Sequence, residues 1–268
     1  MDHHFSDYFH EFSEGTPIGS YHRVVYLHEA PDMSWEIIHK QIPSLPRGWF
    51  ELAQLTTKDR IDFVRQFWGS QMTYHPNLDQ LLDNFFANLD EIGVVVTQKK
   101  YDDPYEPMLV YSLSEDRGYY RGMLPASDDD IVALQSYFAL KVLPTDYTSF
   151  LQIHDGFQKT TDCTGITSSK LLPSRYEAFQ KSIEPEEVIY TKNGVPVNPK
   201  MLIPFYESFG LPFYHCFWAE WYPENEMGNV YYESTTKTIS DISDGGTSTE
   251  NLAFPTFTDW LIFYLEQV

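Results

Sequence analysis

The stretch Leu143–Gly156, with the sequence LPTDYTSFLQIHDG, decides how the rest of the chain is interpreted. Pro144 and Asp146 suit the start of a helix, and the residues that follow place apolar side chains at helical spacing. Gly156 then offers a residue that tolerates the left-handed conformation common where helices end. The stretch therefore predicts a short helix with one buried face, formed by Tyr147, Phe150, Leu151 and His154.

A longer helix is predicted directly before this stretch. Ser127 is a good N-cap residue, and Asp128, Asp129 and Asp130 occupy the first turn, where the helix dipole favours negative charge. Neighbouring side chains on a helix diverge by about 100°, so the dipole explains three consecutive aspartates better than a metal site does. The predicted buried face is Ile131, Leu134 and Phe138.

The chain before Pro125 is predicted to combine helices with a small sheet. Thr56 or Thr57 caps one helix, and a second is predicted from Asn77 to Gly93 because apolar residues recur at helical spacing. Strands are predicted at Tyr21–His28, Val94–Thr97, Met108–Leu113 and Tyr119–Met123.

The last third of the chain is predicted to be rich in strands. These are Lys170–Leu172, Leu202–Tyr206, Phe213–Trp221 and Asn229–Glu233, with helices at Tyr176–Ser182 and from Thr256 onward. Strand alternation would place Trp218 and Trp221 on opposite faces. We therefore predict an α+β fold with two domains, residues 1–125 and residues 126–268.

Composition indicates a folded chain that does not enter membranes. Of its 268 residues, 42% are hydrophobic and 16% aromatic, and no apolar run approaches 18 residues. We expect a soluble, cytoplasmic protein. Cys163 and Cys216 are isolated, which favours neither a zinc module nor a disulfide framework, although a single bridge between them stays open. His3 and His4 suggest a tag or metal site only weakly, and no cofactor is predicted.

Charge is the strongest global signal. The chain has 39 acidic and 18 basic residues and a net charge of -21, and the acidic excess occurs on both sides of Pro125. Such a field repels phosphate backbones and anionic lipids and attracts basic surfaces. We therefore expect a basic protein partner and exclude nucleic acid and membranes as partners.

From about Asp128 to the end, the chain resembles the SUKH superfamily, which includes a fungal cell-wall-synthesis regulator and many bacterial toxin-immunity proteins. The resemblance is carried by the order of five pieces rather than by any one of them, and no family is suggested for the first half. Phe157 stands where many members have a second glycine. The five pieces are the acidic helix at Asp128, the run from Leu143 to Gly156, the strand Ile203–Phe205, the strand Gly228–Tyr231, and the closing helix Phe254–Leu265.

The resemblance implies an α+β scaffold that binds other proteins without catalysis and, in the immunity cases, occludes a toxin. Aromatic side chains bury much area for little lost flexibility, so they make good anchors for a partner. The predicted partner-binding residues are Trp218, Glu220, Trp221, Tyr222 and Glu224. For each aromatic residue among them, a place in the core of the sheet is an equal alternative.

Two other functions stay open at this point. An enzyme would need a catalytic pair such as His154 with Asp155 or His215 with Cys216, but strand neighbours point to opposite faces, which disfavours the second pair. A regulatory or adaptor scaffold would carry its specificity in residues 1–125. We expect a binding role rather than an enzymatic one.

Overall fold

In the computed structural model, the residues described are 1–12, 21–30, 33–162, 164–184, 187–208, 213–223, 225–242 and 252–266. The chain divides into two compact units. The first comprises residues 1–70 and 79–124, and the second comprises residues 71–78 together with the chain from Pro125 onward. Both units contain helices and strands, which confirms the predicted α+β class.

The first unit contains five helices and four strands among its described residues. In chain order these are α1 His3–Tyr8, β1 Arg23–Tyr26, α2 Trp35–Gln41, α3 Arg47–Ala53, α4 Thr57–Gln71, α5 Leu78–Ala87, β2 Leu89–Gln98, β3 Glu106–Leu113 and β4 Tyr119–Gly122. The strands pair antiparallel in the order β1-β2-β3-β4. The predicted strand Tyr21–His28 is shorter, because Leu27–Glu29 forms a turn of 3-10 helix.

Helices cover both faces of this first sheet. On one face Trp68 of α4 donates a hydrogen bond from its indole Nε1 to the Tyr111 hydroxyl at 3.1 Å, and Phe85 of α5 stacks on the same indole. On the other face, Phe5 and Phe9 of α1 pack with apolar residues of β2 and β3. Successive strand residues point to opposite faces, and both sets are buried, so this sheet has a core on each side.

The helix predicted from Asn77 to Gly93 ends at Ala87, so the prediction is wrong for residues 88–93. Leu89 and Ile92 belong to β2, where the β-branched run around Gly93 favours an extended backbone. Gly93 lies inside the strand rather than at a helix end. A Cβ on this residue would overlap the imidazole of His28, so the glycine permits the close approach of β1 and its 3-10 turn.

The second unit contains the remaining elements. In chain order these are α6 Asp128–Tyr137, α7 Thr145–Leu151, β5 Phe157–Lys159, β6 Gly165–Ile166, α8 Leu172–Ser182, β7 Ile189–Thr191, β8 Pro196–Val197, β9 Leu202–Glu207, β10 Phe213–Trp218, β11 Asn229–Glu233, β12 Thr238–Ile239, β13 Ala253–Phe254 and α9 Phe257–Glu266. The strand order is β5-β6-β9-β10-β11-β12-β7-β8, with β13 also paired to β11. Because β12 and β7 are parallel and the other pairs antiparallel, the sheet is mixed.

The central strands β9, β10 and β11 are buried on both faces. On one face Phe179 of α8 packs in a core cluster with Cys216, Trp218 and Tyr232. On the other face α7 and α9 cover the sheet, and the Phe217 ring packs against the rings of Tyr147, Phe205 and Phe257 there. Trp260 in turn packs against Phe205 and Phe257.

Two predicted helix starts are confirmed atom by atom. Ser127 Oγ accepts from the Asp130 backbone N–H at 3.2 Å, and the Asp130 carboxylate accepts from the Ser127 backbone N–H at 3.2 Å. At the start of α9 the Asp259 backbone N–H donates to Thr256 Oγ1 at 3.0 Å, and the Thr256 hydroxyl donates to the Asp259 carboxylate at 2.8 Å. The capping box of α6 and the side-chain cap of α9 each satisfy a backbone N–H that the helix would otherwise leave unpaired.

Two local predictions in this unit need correction. Helix α7 forms as predicted, but it ends at Leu151, and Gly156 adopts its positive φ of 112° five residues later, just before β5. The predicted strand Lys170–Leu172 is absent among the described residues. Leu172 instead begins α8, with Pro173 in its first turn, where a missing N–H costs no helical hydrogen bond.

Candidate partner-binding surface

Four of the five predicted partner-binding residues lie at the end of β10 or in the segment between β10 and β11 (residues 219–223 and 225–228), which we call the β10–β11 loop. Strand β10 ends at Trp218, whereas the predicted strand continued to Trp221. The loop reverses direction at once, because the Trp221 N–H donates to the Trp218 carbonyl at 2.9 Å. The Gly228 N–H then donates to the Trp221 carbonyl at 3.0 Å, which closes the loop onto β11.

The two tryptophans contribute to one core cluster and not to opposite faces. Trp218 is only 8% exposed and packs beside Phe179, and the half-buried Trp221 packs against the same cluster. Strand alternation failed here because Trp221 lies beyond the strand, after the chain has turned. Trp218 therefore occupies a core position and Trp221 forms the base of the loop.

Gly228 is needed for the position of Trp221. A Cβ at Gly228 would overlap the six-membered part of the Trp221 indole. We expect Gly228→Ala to displace this ring and to lower the free energy of unfolding by about 1–3 kcal/mol, the usual cost of overpacking. Denaturant unfolding measures this loss, and a red shift in tryptophan emission would accompany it.

Gly48 supplies the control for this substitution. A Cβ at Gly48, inside α3, would meet no atom within 4 Å. Gly48→Ala should leave stability unchanged or raise it by up to about 1 kcal/mol, because alanine is the better helix former. Equal losses in both variants would contradict the role assigned to Gly228.

The exposed side chains of the loop are Glu220 and Tyr222. Tyr222 is 47% exposed, and the exposed Glu220 accepts a long hydrogen bond of 3.4 Å from the Trp218 indole through Oε2. Glu224 lies outside the described residues. The loop thus presents a carboxylate and a phenol to solvent above two anchored indoles.

Glu226 ties the other end of the loop to α7. Its Oε2 accepts from the Thr145 backbone N–H at 2.7 Å, and its Oε1 accepts from the Thr145 hydroxyl. A carboxylate at this position satisfies a free N–H of the helix terminus and complements the helix dipole. The loop is therefore fixed at both ends.

Exposed apolar side chains near the end of α6 were missed by the sequence analysis. Tyr137 is 44% exposed, Val142 71% and Leu140 99%. The helical phase of α6 contained part of the signal, because Ile131, Leu134 and Phe138 define the buried face and leave Tyr137 outside it. Leu140 and Val142 lie after the helix, where no periodicity indicates exposure.

One pair considered for catalysis, His215 and Cys216, is divided between the two faces of β10. His215 packs among the rings of Tyr206, Tyr231 and Trp260, whereas Cys216 lies in the cluster on the opposite face of β10. Burial lowers the pKa of His215 to about 3 and raises the pKa of Cys216. An imidazole with so low a pKa is a weak base, and a thiol with a raised pKa supplies little of the thiolate nucleophile.

In the other pair considered, His154 and Asp155 both contact neighbouring parts of the fold. His154 is 1% exposed and lies against Phe157, and the Asp155 carboxylate accepts hydrogen bonds from the backbone N–H and hydroxyl of Ser169. Asp155 therefore fixes the chain entering α8. Cys216 is a free, buried cysteine, and Cys163 lies outside the described residues. No helix among the described residues has the length and apolar character needed to cross a membrane.

A mixed sheet covered by helices, with an anchored loop that exposes polar and aromatic groups, defines a scaffold suited to a binding module. The chain belongs to the SMI1 / KNR4 family (SUKH-1). The family model matches residues 125–262, slightly more than half of the chain, and the resemblance noted in the sequence is thereby confirmed. The first half has no family assignment. No curated protein and no solved structure gave a significant match.

Proposed function

We propose that this protein is a non-catalytic module that binds a basic protein, and that it acts as an immunity-type protein by covering the functional surface of a toxin. The observation that carries the proposal is the β10–β11 loop, which presents Glu220 and Tyr222 from a fixed base on a strongly acidic chain. Membership of the family supports a binding role. That the partner is a toxin, and that binding neutralises it, is our proposal.

Electrostatics supports a basic partner. A net charge of -21 accelerates encounter with a positively charged surface, and this attraction is screened beyond about 8 Å at physiological salt. Exposed Glu220 would then orient the encounter locally. We therefore expect the association rate constant to fall steeply as the salt concentration rises.

Hydrogen bonds that hold loop residues in place before binding support a role of the loop in partner binding. Hydrogen bonds from Trp221 and Gly228 fix its turn, and Glu226 fixes its end at Thr145. Residues that such hydrogen bonds already hold in place lose little conformational entropy when they bind. Tyr222 can therefore act as an anchor, because little of the free energy of its contacts with the partner is offset by a loss of conformational entropy.

The test uses a basic toxin encoded beside this protein and measures binding kinetics and toxin inhibition. We expect Glu220→Lys to reduce the association rate constant several-fold, because it reverses a charge where the partner approaches. We expect Tyr222→Ala to weaken binding at least tenfold, a loss of about 1.4 kcal/mol, mainly through faster dissociation.

Asp62→Lys is the matched control, because it changes the net charge equally from an exposed position on α4. It should reduce the association rate constant less than Glu220→Lys does. Equal reductions would show that only total charge matters and would remove the loop from the proposal. If no basic protein binds or is inhibited, the proposed function itself is wrong.

A further inference from the structure

A cluster of histidine and aspartate side chains lies in the first unit, outside the surface described above. Asp2 caps α1, and its carboxylate is completely buried. Its Oδ1 accepts from the His4 backbone N–H at 2.8 Å, and its Oδ2 accepts from the Gly118 backbone N–H at 2.9 Å. Asp2 therefore holds the start of α1 against the turn that precedes β4.

The two histidines beside Asp2 turn toward each other. Consecutive side chains on a helix normally diverge by about 100°, yet the ring centroids of His3 and His4 are 3.8 Å apart. Each ring also meets a carboxylate. His4 Nδ1 lies 3.0 Å from Asp2 Oδ1, and His3 Nδ1 lies 3.2 Å from Asp116 Oδ1, which comes from a turn more than a hundred residues away.

These distances fit a shared metal ion. Zn²⁺ binds imidazole nitrogen and carboxylate oxygen at about 2.0–2.2 Å, so neighbouring ligand atoms of a tetrahedral site lie roughly 3.3 Å apart. The separation of His4 Nδ1 and Asp2 Oδ1 is close to this value. One ligand atom from each of Asp2, His3 and His4 can be chosen so that all three lie within 4.8 Å of one another.

Asp116 completes the arrangement in a second role. Histidines that bind metals usually direct their other ring nitrogen to a carboxylate, which fixes the orientation of the ring. Contact with Asp116 through Nδ1 would leave Nε2 of His3 for the metal. Asp116 and its neighbour Glu115 both adopt positive φ values, of 53° and 64°, which places this carboxylate beside His3.

We propose that Asp2, His3 and His4 bind a divalent transition metal ion of the Zn²⁺ type, with Asp116 orienting His3. Both histidines are about half exposed, so a fourth position is open to water. Two imidazole ligands favour Zn²⁺, Co²⁺ or Ni²⁺ over the oxygen-seeking Mg²⁺ and Ca²⁺. The bound ion would fasten α1 to the turn before β4 and stabilise the first unit.

The experiment titrates the full chain with ZnCl₂ by calorimetry and follows thermal unfolding with and without Zn²⁺. We expect one equivalent to bind and to raise the unfolding temperature, because a ligand bound only by the folded state stabilises it. MgCl₂ should have no such effect. Co²⁺ should give the visible absorption of a four-coordinate ion.

The variants distinguish Zn²⁺ binding at this site from non-specific Zn²⁺ binding by other surface histidines. His3→Ala with His4→Ala should abolish the stoichiometric binding and the thermal shift, whereas Asp116→Asn should weaken binding about 10- to 100-fold. His10→Ala, a substitution at a half-buried position just after α1, is the control and should bind normally. Absence of a Zn²⁺-dependent shift, or its persistence in the double variant, would overturn the proposal.

Discussion

At pH 4 the variant His215→Phe should be more stable than the wild-type protein by about 3 kcal/mol beyond any difference between them at pH 7. Burial alone lowers the pKa of His215 to about 3, against an ordinary value of 6.5 in the unfolded chain. As the pH falls below 6.5, the unfolded chain gains a proton that the folded protein does not accept. Each pH unit between these pKa values then removes about 1.4 kcal/mol of folding stability.

The sign of this effect follows from a lowered histidine pKa. The contribution of neutral His215 to folding stability is fully present above pH 6.5, and it is lost as the pH falls toward 3. The Nδ1 atom of His215 is buried and has no hydrogen-bond partner among the described residues, so phenylalanine replaces it without breaking a bond. At pH 7 the change should therefore alter stability by less than about 1.5 kcal/mol.

Urea unfolding of both proteins at pH 7, 5.5 and 4 measures this difference. Asp146 contributes with the opposite sign, because burial raises its pKa to about 6 and acid then favours the folded state. That contribution is common to both proteins and cancels in the comparison. The exposed His39 provides the control variant His39→Phe, which should follow the wild-type pH dependence. Parallel curves for His215→Phe and wild type would contradict the prediction.

Local signals allowed much of the fold to be predicted. Ser127 and Thr256 were identifiable as caps because each has an aspartate only three residues later in the chain. The strands β9 and β11 were identifiable because their aromatic and β-branched runs are bounded by turn residues. The family resemblance added the order of these pieces along the chain.

The predictions were wrong where two local sequence signals favoured different structures. Leu89 and Ile92 continue the helical spacing of α5, but they also begin a β-branched run, and pairing of β2 with β1 and β3 favoured the strand. Gly156 fits a helix end, but the structure uses its left-handed conformation at the entry to β5. In both cases contacts distant in sequence overrode the local preference.

The candidate surface was predictable in composition but not in arrangement. The aromatic and acidic character of residues 218–226 is visible in the sequence, whereas the exposure of Tyr222 and the burial of Trp218 depend on where β10 ends. The link from Glu226 to Thr145 spans 81 residues, so no local pattern reveals it. For the same reason Asp146, a polar residue in a first helical turn, gave no sign of being buried.

The variant Asp146→Ala should lose about 3 kcal/mol of unfolding free energy. Asp146 Oδ2 accepts from the backbone N–H and the hydroxyl of Thr258 at 2.8 and 3.0 Å, and Oδ1 accepts from the Tyr147 N–H at 2.8 Å, so this carboxylate joins the start of α7 to the start of α9. Alanine leaves these buried donors unpaired, at about 1–3 kcal/mol each, and relief of the buried charge offsets part of that cost.

Urea unfolding at pH 7 measures the loss of stability in Asp146→Ala. The control is Asp129→Ala, an exposed substitution in the first turn of α6, which should lose less than about 1 kcal/mol. A loss for Asp146→Ala no larger than that of Asp129→Ala would mean that α7 and α9 are held together by their aromatic contacts alone.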